Sequence, residues 1–168
     1  MNDSKLPRPQ VVNGMTYKIR PGDSDAPSLY MTINDVWYCT ACVDVNQDGK
    51  PCGKAPQGKT CALQRRPFEV FFSARCVDHY EWLQMLGTLL SSILRQPGPF
   101  PLYVIEELTS INSLKGGHYV PAGGELEKGT FVNGVVHHIG LMLELHCKRL
   151  GIVRDGQSKK TEDPAPTS

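Results

Sequence analysis

Four cysteines, Cys39, Cys42, Cys52 and Cys61, fall within 23 residues of the stretch WYCTACVDVNQDGKPCGKAPQGKTC. A Cys-x-x-Cys step is short enough to give two ligands of a tetrahedral zinc site, and the glycine and proline turns that follow let a second pair fold back onto the first. The second pair is spaced more widely than in a standard knuckle, so a loop of plain reduced thiols is the alternative. A redox couple at Cys39 and Cys42 would need a helix start or a nearby cation to depress a thiol pKa, and the sequence supplies neither. Asp44-x-Asn46-x-Asp48-Gly49 matches the first half of a calcium loop, but Ala55 stands where the bidentate glutamate belongs. Asp48-Gly49 therefore predicts a hairpin turn. Cys76 and Cys147 read as small buried apolar groups.

The histidines carry less. His137 and His138 are adjacent, so on a helix they point about 100° apart and do not chelate one ion. His138 and His146 share a face two turns apart, about 12 Å along the axis. His79 and His118 are unremarkable alone, and the reading for all of these is a surface or half-buried histidine. No Ser-His-Asp order, phosphate loop or His-Glu-x-x-His occurs, so the residues alone specify no catalytic centre.

The elements that must position these groups change period halfway along the chain. Met15 to Arg20 alternates apolar and polar, Ser28 to Ile33 does so less cleanly, and a turn-rich stretch separates them, which predicts a hairpin. Phe68 to Phe72 is a third β-rich run. In DHYEWLQMLGTLLSSILR, residues Trp82, Leu83, Leu86, Leu89, Leu90, Ile93 and Leu94 recur at helical spacing behind an Asp78/Glu81 cap. Leu102 to Ile105 is a short apolar run, followed by a loop rich in glycine that suits sharp turns or close backbone approach. A last helix is expected from a Thr130 cap to a Gly151 stop, with Gly134 and Gly140 inside it marking close packing. The predicted class is α+β: a small antiparallel sheet with two main helices on one face.

A length of 168 residues suits one domain, here 11–153, between an N-terminal segment 1–10 and a tail 154–168 that have few large apolar residues to offset the entropy of ordering. Lys and Arg total 18 against 17 Asp and Glu, a net +1, so no global field steers the chain toward nucleic acid, membrane or an acidic partner. With no apolar leader and no span of membrane length, the expectation is a cytoplasmic protein with reduced thiols.

Several blocks go further than composition. They are Asn13 to Ile19, Tyr30 to Asp35, Arg65 to Phe71, His79 to Trp82 running into Leu86 to Ile93, Val104 to Leu108, Lys115 to Tyr119, and a closing helix ending at Leu150-Gly151. In order and spacing this series resembles the TSCPD domain, found near the C-terminus of adenosylcobalamin-dependent (class II) ribonucleotide reductases and as a separate small subunit where such a reductase is split. The family's Ser-Cys-Pro-Asp turn is replaced by Gly129-Thr130-Phe131-Val132, and the cysteine segment at about 39–61 looks like an insertion. The redox-active cysteine tail of many such reductases has no counterpart after Gly151. The resemblance implies a component of ribonucleoside-diphosphate reductase: an accessory subunit in deoxyribonucleotide synthesis, with cobalamin and radical chemistry on a separate catalytic chain. Arg65, Arg66, Phe68, Gly116, Gly117 and His118 are the expected partner contact. A free-standing zinc-stabilised module that binds protein or nucleic acid is the alternative, and self-association is left open.

Overall fold

The computed structural model describes residues 5–19, 28–74, 80–114, 116–122, 126 and 128–153. The expected helix cap at Asp78, the readings of Cys76 and His79, and the tail from 154 lie outside these residues. Along the chain come β1 (Asn13–Ile19), β2 (Leu29–Cys39), β3 (Asp44–Asn46), β4 (Leu63–Ala74), α1 (Tyr80–Leu94), α2 (Tyr103–Ser110), β5 (His118–Val120), β6 (Thr130–Val132) and α3 (Val135–Arg149). β2 is the hub of a four-stranded antiparallel sheet. β4 pairs along its whole length on one side, while β1 and β3 take successive halves of the other. β5 and β6 form a separate two-stranded ribbon.

Strand alternation sets the layers. Tyr17, Ile19, Leu29, Met31, Ile33, Val70 and Phe72 point to one face and bury against Leu83, Leu90 and Leu94 of α1, the apolar side of α2, and Ile139, Met142 and Leu143 of α3. The expected α+β class is the observed one. Within the apolar stripe of α1, Leu89 is the exception: it is 53% exposed and turns outward.

Near Pro67 the ladder slips. Asn34 pairs with Glu69 but Asp35 pairs with Pro67, leaving Phe68 as the extra residue of a bulge, one of the few places a sheet tolerates proline. Beyond it a second cluster forms from Leu6, Val36, Tyr38 and Phe68. Leu6 is 3% exposed and its N–H donates to the Arg95 carbonyl. The sequence reading of 1–10 as loose is therefore corrected for this part, because one leucine has a complete apolar socket.

α1 also closes an edge. The Ser91 hydroxyl donates to the Val70 carbonyl and accepts the Val70 N–H, and Gln84 donates to the Phe72 carbonyl. These bonds satisfy outward-facing backbone groups of β4 that would otherwise template strand addition. Ser91→Ala should lower the unfolding free energy by about 1 to 3 kcal/mol, read in a urea melt, because it leaves two backbone groups unpaired under a helix.

Two expected elements differ. The last helix begins at Val135, since Gly134 sits at φ 141° and ψ 179° and breaks the run; Thr130 lies in a strand, not at a cap. Gly140 does mark close packing, because a Cβ there would lie 2.8 Å from Thr109 Cγ2 and 2.9 Å from Leu108 Cβ of α2. The apolar run at Leu102 to Ile105 opens a third helix, α2. Among the described residues no helix is long and apolar enough to cross a membrane.

Candidate metal centre

β2 ends at Cys39, the chain turns through 40–43, and β3 returns along β2. Val43 takes φ 53° in that turn, a left-handed conformation that costs a β-branched residue about 1 to 2 kcal/mol. The hairpin is thus made at 40–43. Asp48-Gly49 forms a later turn that connects no paired strands, with Gly49 N–H on Asn46 Oδ1 and Lys50 N–H on Asp48 Oδ1. These side chains are occupied with backbone, and Asp44 pairs with Lys54 at 3.2 Å, which fits a turn better than a calcium loop. The loop then swings back so that the Thr40 N–H donates to the Ala62 carbonyl.

This path gathers all four expected sulfurs. The Sγ atoms of Cys39, Cys42, Cys52 and Cys61 lie within 4.8 Å of one another. Cys61 Sγ is 3.5 Å from Cys52 Sγ and 3.6 Å from Cys42 Sγ. Four thiolates held at about 2.3 Å from one tetrahedral zinc stand about 3.8 Å apart, so little movement separates this cluster from a closed site. Cys39 is buried and the others half-buried, as suits a structural centre.

Electrostatics show what the crowding does. Burial alone would push the Cys39 thiol up, but the N–H groups of Cys42 and Ala41 and the thiols of Cys42 and Cys61 bring it below its ordinary value. Cys52 falls to about 7, chiefly through its bond with the Cys42 thiol and the Lys54 N–H, against burial. Cys42 moves the other way: it holds its proton to serve the Cys52 thiolate, and burial adds to the rise. A divalent cation bound here would replace these shared protons. Protons and metal compete for the same sulfurs, so zinc affinity should fall as pH falls through about 7, by about tenfold or more per pH unit. Competition titrations against a coloured chelator at several pH values check this.

The remaining cysteine in view, Cys147, is fully buried, and burial raises its thiol to about 12. It is an inert apolar group, as expected. The histidines are more deeply placed than the sequence suggested. His138 and His146 are 2% and 1% exposed, and His137 Nδ1 accepts the Asn133 N–H, tying the chain entering α3. His146 links three elements: its Nε2 is 2.6 Å from Asp35 Oδ1 and its Nδ1 is 2.7 Å from the Tyr17 hydroxyl. Arg65 pairs with the other Asp35 oxygen at 3.3 Å, and Arg149 donates to the Tyr17 hydroxyl. This buried chain pins α3 to β1 and β2. Sequence reasoning missed it because its members are 17, 35 and 146 along the chain and no local pattern joins them.

The expected partner contact is corrected in part. Arg66 and Phe68 are buried, at 1% and 0% exposure. The Arg66 guanidinium donates to the carbonyls of Leu94, Gln96 and Gly98 and lies over the rings of Tyr38 and Phe100. It caps the C-terminal end of α1 from inside the fold, and burial lowers its pKa. Arg65 has a side chain 44% exposed, Gly116 and Gly117 are exposed, and His118 is half-buried near His138. Gly117 faces the Val132 carbonyl and the Phe131 ring so closely that a side chain would collide, so its close approach is to β6.

A one-sided α+β sandwich bearing a four-thiol loop defines the class of this protein. The TSCPD domain family matches residues 5–147, and the chain belongs to that family. No curated protein and no solved structure gives a match.

Proposed function

We propose that this protein is an accessory or regulatory subunit that works beside a separate catalytic chain of an adenosylcobalamin-dependent ribonucleotide reductase, in deoxyribonucleotide synthesis. The observation that carries the reading is the family match across 5–147, which takes in the main sheet, the cysteine loop, α1, α2 and most of α3. The thiyl-forming cysteine, the reducing dithiol and the cobalamin belong to the partner. The described thiols support that division: Cys147 is sealed in the core, and the four loop sulfurs face one another as a metal cage would require. Zinc in that cage stiffens the loop and does no chemistry. Arg65, Gly116, Gly117 and His118 are the contact residues that stay accessible enough to serve.

The test pairs immobilised protein with a cobalamin-dependent reductase chain encoded in the same genome, followed by nucleotide reduction assays with and without this subunit. Retention of the catalytic chain and a changed turnover are expected. No retention together with unchanged turnover would sink the reading.

A further inference from the structure

Among the described residues, the helices cover one face of the main sheet, and the N-terminal segment covers the other near Val36, Tyr38 and Glu69. Thr16, Lys18, Tyr30 and Phe71 on that outer face are exposed. Its strand-by-strand register places Lys18 opposite Tyr30 and Tyr30 opposite Ser73, then Thr16 opposite Thr32 and Thr32 opposite Phe71. Tyr30 and Phe71 are 41% and 48% exposed on neighbouring strands, and the register makes them diagonal neighbours. Such pairs sit about 7 Å apart. Two aromatic rings displayed side by side on a sheet, flanked by threonines whose hydroxyls meet at 2.9 Å, are not needed for the core.

Cations border the rings. Beside Phe71 a groove of about 360 Å³ runs between β4 and α1, lined also by Lys5, Arg8, Arg95, Thr88 and Ser92. Glu69 is the carboxylate in this groove, and its oxygens are already bonded to Arg8 at 2.8 and 2.9 Å and to Asn34 at 3.0 Å. Its charge is thereby offset, and Lys5 and Arg95 leave the groove net positive. Lys18 adds a cation on the far side of Tyr30.

We propose that this open face binds single-stranded nucleic acid, with one base stacked on Tyr30, the next on Phe71, and the backbone drawn along Lys18 and the groove cations Lys5 and Arg95. Stacking tolerates any base because every base has a π-face, and the cations supply the salt-dependent part of the affinity. A duplex cannot use the rings, since its bases are already stacked. The inference is independent of both the metal centre and the reductase reading, because it uses none of their residues.

Fluorescence anisotropy of the full chain with labelled oligothymidylate and oligouridylate of about a dozen nucleotides tests it. Expected are binding that weakens steeply with salt, losses of about tenfold for Phe71→Ala and for Tyr30→Ala, and near-full retention for Phe71→Tyr. Lys18→Gln should flatten the salt dependence by about one unit of slope. Preference between the two oligomers tells DNA from RNA, and either supports the proposal. Both rings are exposed, so the variants should melt as the parent does. Absence of binding at low salt, equal affinity for a duplex, equal affinity for free thymidine monophosphate, or alanine variants that bind as well as the parent would each overturn it.

Discussion

Replacing Arg66 by alanine should lower the unfolding free energy by about 3 kcal/mol and the melting temperature by about 10 °C. The side chain is almost wholly enclosed, donates to three carbonyls at the end of α1 and lies 5.0 and 5.5 Å from two ring centroids. Its loss leaves those carbonyls without a donor and opens a cavity under Tyr38 and Phe100. The Tyr38 hydroxyl, which accepts the Gly98 N–H, would lose the support of the neighbouring guanidinium. Arg66→Lys should recover less than half of the deficit, because one ammonium cannot span three carbonyls in a planar fork. A melt of Arg66→Ala within a degree or two of the parent would show that α1 ends independently of β4.

Cys61→Ser should weaken zinc binding by at least about a hundredfold and loosen the loop while leaving the helical core in place. Cys61 Sγ lies 3.5 and 3.6 Å from two other sulfurs, and the loop from 47 to 62 contributes no side chain to the main core. Limited trypsin digestion reads this directly. Lys54 and Lys59 are exposed in the loop, so cleavage there should quicken in the variant and in parent protein treated with a chelator, with far-ultraviolet dichroism nearly unchanged. The asymmetry follows from position: a metal held there would tie β2 and β3 to the return strand β4, and the sheet itself is already held by hydrogen bonds and burial. Equal zinc affinity in Cys61→Ser would remove the four-sulfur centre.

Much of this architecture could be read in advance where a local period expressed a single physical cause. The alternation in Met15 to Ile19 and the helical spacing of Leu83, Leu90 and Leu94 each follow from one face meeting the core. The cysteine cluster was legible for a similar reason, since a Cys-x-x-Cys step followed by turn residues limits how far the sulfurs can separate. The helix α2 was not. It has eight residues, follows Pro99 and Pro101, and buries only Val104, Ile105 and Leu108, so its periodicity is too short to stand out. The strand at Thr130–Val132 was hidden for the opposite reason: Val132 continues the apolar spacing of α3, and only the backbone of Gly134 separates the two.

Long-range polar contacts were invisible for a third reason. Arg66, Asp35 and His146 carry residue types that sequence reasoning assigns to surfaces, and only the fold shows carbonyls or ring atoms waiting to receive them. Leu6 belongs here too. A lone leucine among prolines and charges gives no period, yet it completes the cluster of Val36, Tyr38 and Phe68 and brings Lys5 and Arg8 to the open face. Removing residues 1–10 from an expressed chain would disturb that cluster.

Cys39, Cys42, Cys52 and Cys61 are placed to close as thiolates around one metal ion on a TSCPD domain. Native mass spectrometry of protein purified without chelator measures this, with alkylation of the folded protein before and after chelation to count reactive thiols. One zinc per chain is expected, with the loop cysteines alkylated only after the metal is removed. A chain that carries less than about half an equivalent of zinc, and whose four loop thiols react at once in the folded state, would contradict it.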